Sequence, residues 1–133
     1  MPISPEELLA FAKDIHSQNE DCEVHRRSAV SRYYYAMYHK AHSILKFEPR
    51  LYTKSDHENL IRYLQNDARD EEDHNFRELF MLGESLRQER DRRNLADYAL
   101  GETITKTNAN SSKDEADILF EKADGLLKLS SAS

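Results

Sequence analysis

Residues 21–45 read DCEVHRRSAVSRYYYAMYHKAHSIL, and this segment decides the fold. Apolar and small side chains recur along it every three or four residues, which is the pattern of a helix buried along one face. The pattern stops before Pro49, because the residue that precedes a proline avoids the helical region. The sequence therefore predicts one long helix with an inward stripe of Ala29, Val30, Tyr33, Tyr34, Met37, Ala41, Ile44 and Leu45.

Four further segments show helical patterns. Three of them open with a serine followed three residues later by a glutamate, the capping box that satisfies free backbone N–H groups. Proline at the first helical position strengthens the first of these starts. The boxes are Ser4–Glu7, Ser55–Glu58 and Ser112–Glu115, and the remaining helix begins near Phe76. The inward residues expected for the first helix are Leu8, Phe11, Ala12 and Ile15.

Two polar stretches lack this periodicity. The acidic segment after Asn66 carries five carboxylates within seven residues, and residues 101–112 are rich in Thr, Asn and Ser. Such composition between periodic segments is typical of loops. We therefore expect both stretches to be exposed connections.

The composition favours a single helical domain. Only three glycines and three prolines occur in 133 residues, which argues against a β-sandwich or barrel. The single cysteine excludes an internal disulfide and fits a reducing compartment. Because no leader or long apolar run is present, we expect a cytoplasmic protein without a membrane segment. We predict an all-α antiparallel bundle of four to five helices over residues 1–129, with a disordered tail at 130–133.

A cluster of arginines is the main candidate for a functional site. Four arginines stand within residues 87–93 of a chain whose net charge is −6. The guanidinium fork suits phosphate, so a local contact with a polyanion is one interpretation. The other is a solvated helix face with ion pairs such as Glu89–Arg93 and Arg93–Asp97. On a helix, one face carries Arg90, Arg93, Asn94 and Asp97, with Tyr98 beside them.

Two segments resemble the HEPN domain, a family of small helical bundles. The first is Arg27-Ser-Ala-Val-Ser-Arg-Tyr-Tyr-Tyr-Ala-Met-Tyr-His39, which is similar to the long helix of the family. The second is Arg93-Asn-Leu-Ala-Asp-Tyr98, which is similar to the Arg-x-x-Ala-Asp-Tyr ending of one branch. The resemblance implies four or five helices, a homodimer, and a place in a toxin–antitoxin or phage-defence module. It also implies a possible antitoxin partner of the nucleotidyltransferase type.

The resemblance further implies metal-independent cleavage of RNA. In the usual signature an Arg, often followed by Asn, precedes a His by four to six intervening residues. Arg93 and Asn94 match, whereas Tyr98 stands at the first position that this His could occupy. The catalytic residues implied in this chain are Arg93, Asn94, Asp97 and Tyr98, with Arg87 and Arg90 as additional contacts to RNA or nucleotide.

Among the other histidines, only His39 is a candidate to replace the missing base. His74 follows Arg69 in an acidic segment, and His57 follows Arg50 across an expected loop, so both spacings indicate coincidence. Arg32 and His39 lie two turns apart on the same face of the long helix, with Tyr35 between them. We expect Arg32, Tyr35 and His39 to contribute to binding RNA or nucleotide, with Tyr35 stacking on a base.

No metal or cofactor is expected. Glu71-x-x-His74 matches only half of a di-iron motif, and no glycine-rich phosphate loop occurs.

Three hypotheses about the function therefore remain. The chain is a HEPN-type ribonuclease toxin, a HEPN module that binds RNA, nucleotide or a protein without cleavage, or a structural helical partner whose arginines form ion pairs.

Overall fold

Helices account for most of the described chain, and the predicted all-α bundle is confirmed. The structure is a computed structural model that describes residues 2–132, with side chains described for residues 2–129. Within that range, none of the helices combines the length and the apolarity needed to cross a membrane. The elements are α1 (Pro5–Gln18), α2 (Glu23–Ser43), α3 (Asp56–Gln65), α4 (Ala68–Glu71), α5 (Phe76–Tyr98) and α6 (Lys106–Ala132).

Helix α2 is the centre of the bundle and packs against α1, α5 and α6. Helix α3 packs on α5 instead. The side chains of Tyr33, Tyr34 and Met37 are fully buried, as the periodicity of this segment predicts. Each such burial contributes about 1.5–3 kcal/mol to the free energy of unfolding. The predicted inward stripe of α1 is only partly correct, because Phe11 is 52% exposed.

A buried ammonium group joins three helices. Lys40 of α2 lies 2.6 Å from Asp124 on α6 and 3.3 Å from Glu6 on α1. Desolvation alone lowers the pKa of Lys40, but hydrogen bonds to Asp124 and Glu6 outweigh it and raise the pKa overall. The ammonium group therefore stays charged and paired in the folded state.

The acidic segment after Asn66 is not the exposed loop that its composition predicts. It contains the short helix α4, whose Ala68 is buried, and it places the carboxylate of Glu72 in the interior. Glu72 accepts hydrogen bonds from the backbone N–H groups of Lys46 and Phe47, at 2.7 and 3.1 Å, and from the Tyr63 hydroxyl at 2.6 Å. The segment is ordered because this carboxylate satisfies backbone donors just after α2.

The second expected loop is helical from Lys106 onward. Thr105 and Asn108 cap this start reciprocally, with each side chain accepting a hydrogen bond from the backbone N–H of the other, at 3.1 and 2.9 Å. The N-cap predicted at Ser112 is wrong, since Ser112 lies inside α6. The disorder predicted for residues 130–133 stays a prediction: α6 is described to Ala132, and Ser133 lies outside the described residues.

Ser112 is buried because it faces a buried carboxylate on α5. Its hydroxyl donates to Glu89 at 2.9 Å and accepts from Arg92 at 3.2 Å, and Arg92 also pairs directly with Glu89. The expected Glu89–Arg93 pair is therefore replaced by a pair with Arg92. Burial raises the pKa of Glu89, although Arg92 and Ser112 lower it in part.

We expect Glu89→Gln to reduce the dependence of stability on pH. Because the folded pKa of Glu89 is raised above its ordinary value of 4.5, its contribution to stability is complete below that value and is lost as pH rises through the folded pKa. Glutamine cannot ionise and keeps the shape of the protonated acid. Urea unfolding at a series of pH values should show a smaller loss of free energy above pH 4.5 in the variant than in the wild type.

Glu121→Gln is the matched control, since Glu121 is exposed on α6 and its replacement changes the net charge equally. The control should follow the wild-type curve. A Glu89→Gln protein that loses stability above pH 4.5 as steeply as the wild type would contradict this assignment.

Candidate functional site

The last two turns of α5 meet the middle of α2 and the first turn of α3. Arg93 is the central side chain of this junction and is 15% exposed. Its guanidinium carbon lies 6.0, 5.6 and 5.7 Å from the ring centres of Tyr34, Tyr35 and Tyr98. Three aromatic rings thus surround the cation at distances at which the ring quadrupole attracts it.

A carboxylate on the same helix orients Arg93. The Nε atom of Arg93 lies 2.9 Å from Asp97 Oδ2, which confirms the expected Arg93–Asp97 contact. This contact is an ion pair without hydrogen-bond geometry, since Nε makes no hydrogen bond. Asp97 Oδ2 also accepts a hydrogen bond of 3.1 Å from Ser31 of α2, so the pair is anchored to the central helix.

The two remaining residues of the motif are more open. Arg93 Nη1 donates to the Asn94 side-chain oxygen at 3.3 Å, and Asn94 itself is exposed. The phenol of Tyr98 is 71% exposed beside the guanidinium. An incoming ligand therefore has access to Arg93 from the side of Asn94 and Tyr98.

Arg90 and Arg87 are engaged with a carboxylate of α3. Arg90 lies 2.7 Å from Glu58 and donates to the hydroxyl of Ser55 at 3.3 Å, while Arg87 lies 3.7 Å from Glu58. Partial burial raises the pKa of Glu58, but Arg62, Arg87 and Arg90 outweigh it and hold the pKa below its ordinary value. Since Ser55 is the N-cap of α3, Arg90 attaches the first turn of α3 to α5.

That first turn brings a histidine to the site. His57 Nδ1 lies 2.9 Å from the Tyr34 hydroxyl. Its ring centre is 5.3 Å from that of Tyr34, 6.2 Å from that of Tyr35 and 4.5 Å from that of Tyr38. His57 and Arg93 therefore contact the same two tyrosine rings, although they belong to different helices.

The surroundings of His57 favour its neutral form. Desolvation lowers the pKa of His57 from its ordinary value of 6.5, and the charges of Arg93 and Arg90 lower it further. A neutral imidazole is able to accept a proton at neutral pH, whereas the buried Tyr34 phenol cannot do so because burial raises its pKa. The junction thus combines a guanidinium with an imidazole that is able to act as a base.

A second arginine holds the end of α5 in place. Arg27 of α2 donates hydrogen bonds to the carbonyl oxygens of Leu95, Ala96 and Ala99, at 3.1, 2.9 and 3.3 Å. The Leu95 and Ala99 carbonyls also accept backbone hydrogen bonds, from Ala99 and Glu102, both at 3.0 Å. Arg27 adds donors at a helix end, where carbonyl groups are short of partners. The guanidinium also complements the negative end of the helix dipole, so Arg27 positions the turn that carries Tyr98.

The predicted binding residues of α2 lie next to this junction. The guanidinium carbon of Arg32 is 5.8 Å from the Tyr35 ring centre, so the Tyr35 ring lies close to both Arg32 and Arg93. Tyr35 is half-buried, and Arg32 and His39 are exposed. His39 contacts the Tyr38 ring at 5.1 Å between ring centres. Seven of the nine predicted site residues thus lie on α2 and the end of α5, at this junction or next to it. The other two, Arg87 and Arg90, contact α3.

The two residues of the partial di-iron motif, Glu71 and His74, contact other groups of the chain. Glu71 pairs with Arg50 at 2.7 Å, and His74 Nε2 lies 3.0 Å from the carbonyl oxygen of Ile44. Among the residues that the structure describes, no group of three or more His, Cys, Asp or Glu side chains has an arrangement suited to a metal ion.

Sequence reasoning missed His57, Ser31 and Tyr34 as parts of the site. The spacing of His57 from Arg50 carries no signal, because the arginine that shares tyrosine contacts with His57 is Arg93. The capping box at Ser55 did place His57 in the first turn of a helix. Nothing in the sequence linked that turn to the end of α5, because the link consists of the Arg90 contacts and the Tyr34 hydrogen bond.

We expect Arg93→Gln to raise the pKa of His57, because the charge of Arg93 has the largest effect among the positive charges that disfavour the imidazolium. The pKa should remain below 6.5, since desolvation persists. NMR titration of the imidazole C–H signals measures it. Arg69→Gln is the control, because Arg69 packs on Phe76 at the other end of α5. An unchanged His57 titration in Arg93→Gln would show that the two side chains do not share a site.

Comparison with known proteins adds no family to these observations. The chain matches no protein-family model, no curated protein and no solved structure. A functional assignment for this chain therefore rests on the resemblance of two sequence segments and on the contacts around Arg93 and His57.

Proposed function

We propose that this chain is a HEPN-type RNA endonuclease of a toxin–antitoxin or phage-defence module, which cleaves single-stranded RNA without a metal ion. Arg93 binds the phosphate, and His57 acts as the general base. Tyr98 donates a hydrogen bond, and Asp97 orients Arg93. The single cysteine supports a reducing compartment, so the proposal includes a cytoplasmic location.

The observation that carries the proposal is the meeting of Arg93 and His57 on the rings of Tyr34 and Tyr35. The resemblance implies an arginine and a histidine in one motif, and the motif in this chain ends in Tyr98. His57 supplies an imidazole from another helix, next to the same two tyrosine rings that Arg93 contacts. This supports a catalytic role for the pair, and it makes a tyrosine base unnecessary.

Cleavage needs a base for the ribose 2′-hydroxyl and a cation for the charge on the phosphorane. The His57 tautomer with hydrogen on Nδ1 donates to the Tyr34 oxygen and leaves the Nε2 lone pair free to accept the 2′-hydroxyl proton. The 2′-oxygen then attacks the adjacent phosphorus, and the bond to the 5′-oxygen breaks. The products are a 2′,3′-cyclic phosphate and a 5′-hydroxyl, which takes its proton from solvent.

The proposal includes a homodimer with an antitoxin of the nucleotidyltransferase type as a possible partner. Exposed apolar side chains next to the site support the dimer: Leu95 is 45% exposed, Leu100 79% and Tyr98 71%. A second copy covering them would bury apolar area and bring two Arg93 sites close together.

A specific observation favours a second candidate, which is binding of RNA or nucleotide without cleavage. Arg87, Arg90, Arg92 and Arg93 all have carboxylate partners, so much of the charge of the cluster is compensated within the chain. Among the described residues, Arg32 has no such ion pair and stays exposed. A purely structural role for the arginine cluster is the third possibility, and it applies if neither activity is found.

Cleavage is tested with labelled single-stranded RNA in EDTA, with mass spectrometry to detect the cyclic phosphate. We expect Arg93→Ala to lower kcat by about 10²–10³-fold through lost charge stabilisation. His57→Ala should lower kcat by about 10²–10⁴-fold through the lost base. Tyr98→Phe keeps the ring and should cause a smaller loss. The cleavage rate of the wild type should fall in acid with a midpoint below pH 6.5, because the pKa of His57 is lowered from its ordinary value of 6.5.

Arg69→Gln and His25→Asn are the matched controls, since neither side chain contacts the site, and both should cleave like the wild type. Wild-type cleavage that EDTA abolishes would contradict the proposal. Full activity of either Arg93→Ala or His57→Ala would contradict it as well.

The second candidate predicts that Arg32→Gln weakens binding of single-stranded RNA without a change in melting temperature. Loss of one phosphate contact should reduce the slope of log affinity against log salt by about one. Arg90→Gln is the contrast, because it should lower the melting temperature by releasing Glu58 and the start of α3. Fluorescence anisotropy at several salt concentrations measures the slope. Identical slopes for wild type and Arg32→Gln would rule out a phosphate contact at Arg32.

A further inference from the structure

An open groove of ≈ 700 Å³ lies between α1 and α2, next to the Arg93 site. Its apolar side consists of α1 residues, chiefly Leu8 and Phe11, and its polar side consists of Arg32, His39 and His42 of α2. The Phe11 ring is 52% exposed in this groove, although its position in the stripe of α1 predicts burial. The Phe11 ring therefore lies beside the cationic and imidazole side chains of α2 in one groove.

The groove offers the two kinds of contact that an unpaired nucleobase needs. Bases in single-stranded RNA stack on aromatic rings or guanidinium planes and use their edges for hydrogen bonds. Phe11 and Tyr35 provide rings, and Arg32 and His39 provide polar groups that make no hydrogen bond to other described residues. A peptide partner with an apolar face would leave these polar groups without partners on binding, which disfavours it.

The groove is continuous with the candidate catalytic site through one residue. Tyr35 lines the groove, and its ring centre is 5.6 Å from the guanidinium carbon of Arg93 and 5.8 Å from that of Arg32. A nucleotide whose phosphate contacts Arg93 would thus have a neighbouring base within reach of the groove. The size of the groove also falls in the range of about 300–1,000 Å³ that is typical of small-ligand sites.

We propose that the groove between α1 and α2 binds an unpaired nucleobase of single-stranded RNA, next to the phosphate held at Arg93. This inference rests on the proposed function and names its substrate as RNA with an extruded or unpaired base. Phe11 and Tyr35 stack on the base, and Arg32 and His39 bind its polar edge or the adjoining phosphate. Duplex RNA does not fit, because its bases are paired and stacked within the helix.

The test is an NMR titration of the full chain with adenosine, uridine and ribose 5-phosphate. Adenosine carries a base without phosphate, and ribose 5-phosphate carries a phosphate without base. We expect adenosine and uridine to shift the backbone amide signals of residues around Phe11, and ribose 5-phosphate to leave the signals around Phe11 in place. Phe11→Ser should weaken adenosine binding by about fivefold or more.

Phe80→Ser is the matched control, because Phe80 is 38% exposed on α5 and does not line the groove, and it should bind adenosine like the wild type. Arg93→Gln should also retain adenosine binding while it loses cleavage. A chain that binds adenosine but never cleaves RNA therefore contradicts the proposed function and leaves the base site supported.

Other results would overturn the base site. One such result is that adenosine does not shift the amide signals around the groove. Another is that Phe11→Ser and Phe80→Ser weaken adenosine binding equally. A Phe11→Ser variant that changes from dimer to monomer in sedimentation and binds adenosine normally would assign the groove to a second copy of the chain instead.

Discussion

Two buried phenol groups on α2 impose the constraint on which the arrangement of the bundle depends. Tyr33 and Tyr34 are fully buried, and a buried hydroxyl without a partner costs about 1–3 kcal/mol. The Tyr33 hydroxyl lies 2.7 Å from His16 Nδ1 on α1, and the Tyr34 hydroxyl lies 2.9 Å from His57 Nδ1 on α3. Each tyrosine therefore requires a histidine from a different neighbour. The pairing of Tyr34 brings His57 to Arg93.

Compensation of charge within the bundle explains how an acidic chain accommodates a dense run of arginines. Glu58 contacts Arg62, Arg87 and Arg90, while the buried Glu89 contacts Arg92. The pairs of Glu58 with Arg87 and Arg90 hold α3 against α5, and the hydrogen bonds of Ser112 with Glu89 and Arg92 hold α6 against α5. Most of the cluster therefore stabilises the bundle. Arg93 differs because its cation lies among three tyrosine rings and only its Nε faces a carboxylate. The candidate site around Arg93 is therefore narrow, and a contact with a polyanion there would be local.

Sequence patterns predicted the helices well where local chemistry decides them. The serine caps at residues 4 and 55 accept hydrogen bonds from Glu7 and Glu58, at 3.2 and 3.3 Å, as the capping boxes indicate. Prediction failed at the third capping box and in the acidic segment. Helix α6 begins at Lys106 after the reciprocal cap of Thr105 and Asn108, so Ser112 lies inside the helix. Glu72 is buried because it binds backbone donors after α2, and these are distant in sequence, so no local pattern indicates this contact.

The chain's amino-acid pattern is sufficient for the all-α class, for the long central helix and for the convergence of Arg93, Asp97 and Tyr98 at one end of α5. These features follow from helical periodicity, which relates residues three or four positions apart. The place of His57 beside Arg93, the engagement of Arg87 and Arg90 by Glu58 and the exposure of Phe11 in a groove depend on packing between helices. Such contacts join residues that are far apart in the chain. They form only when the helices pack together, because buried polar groups then need hydrogen-bond partners.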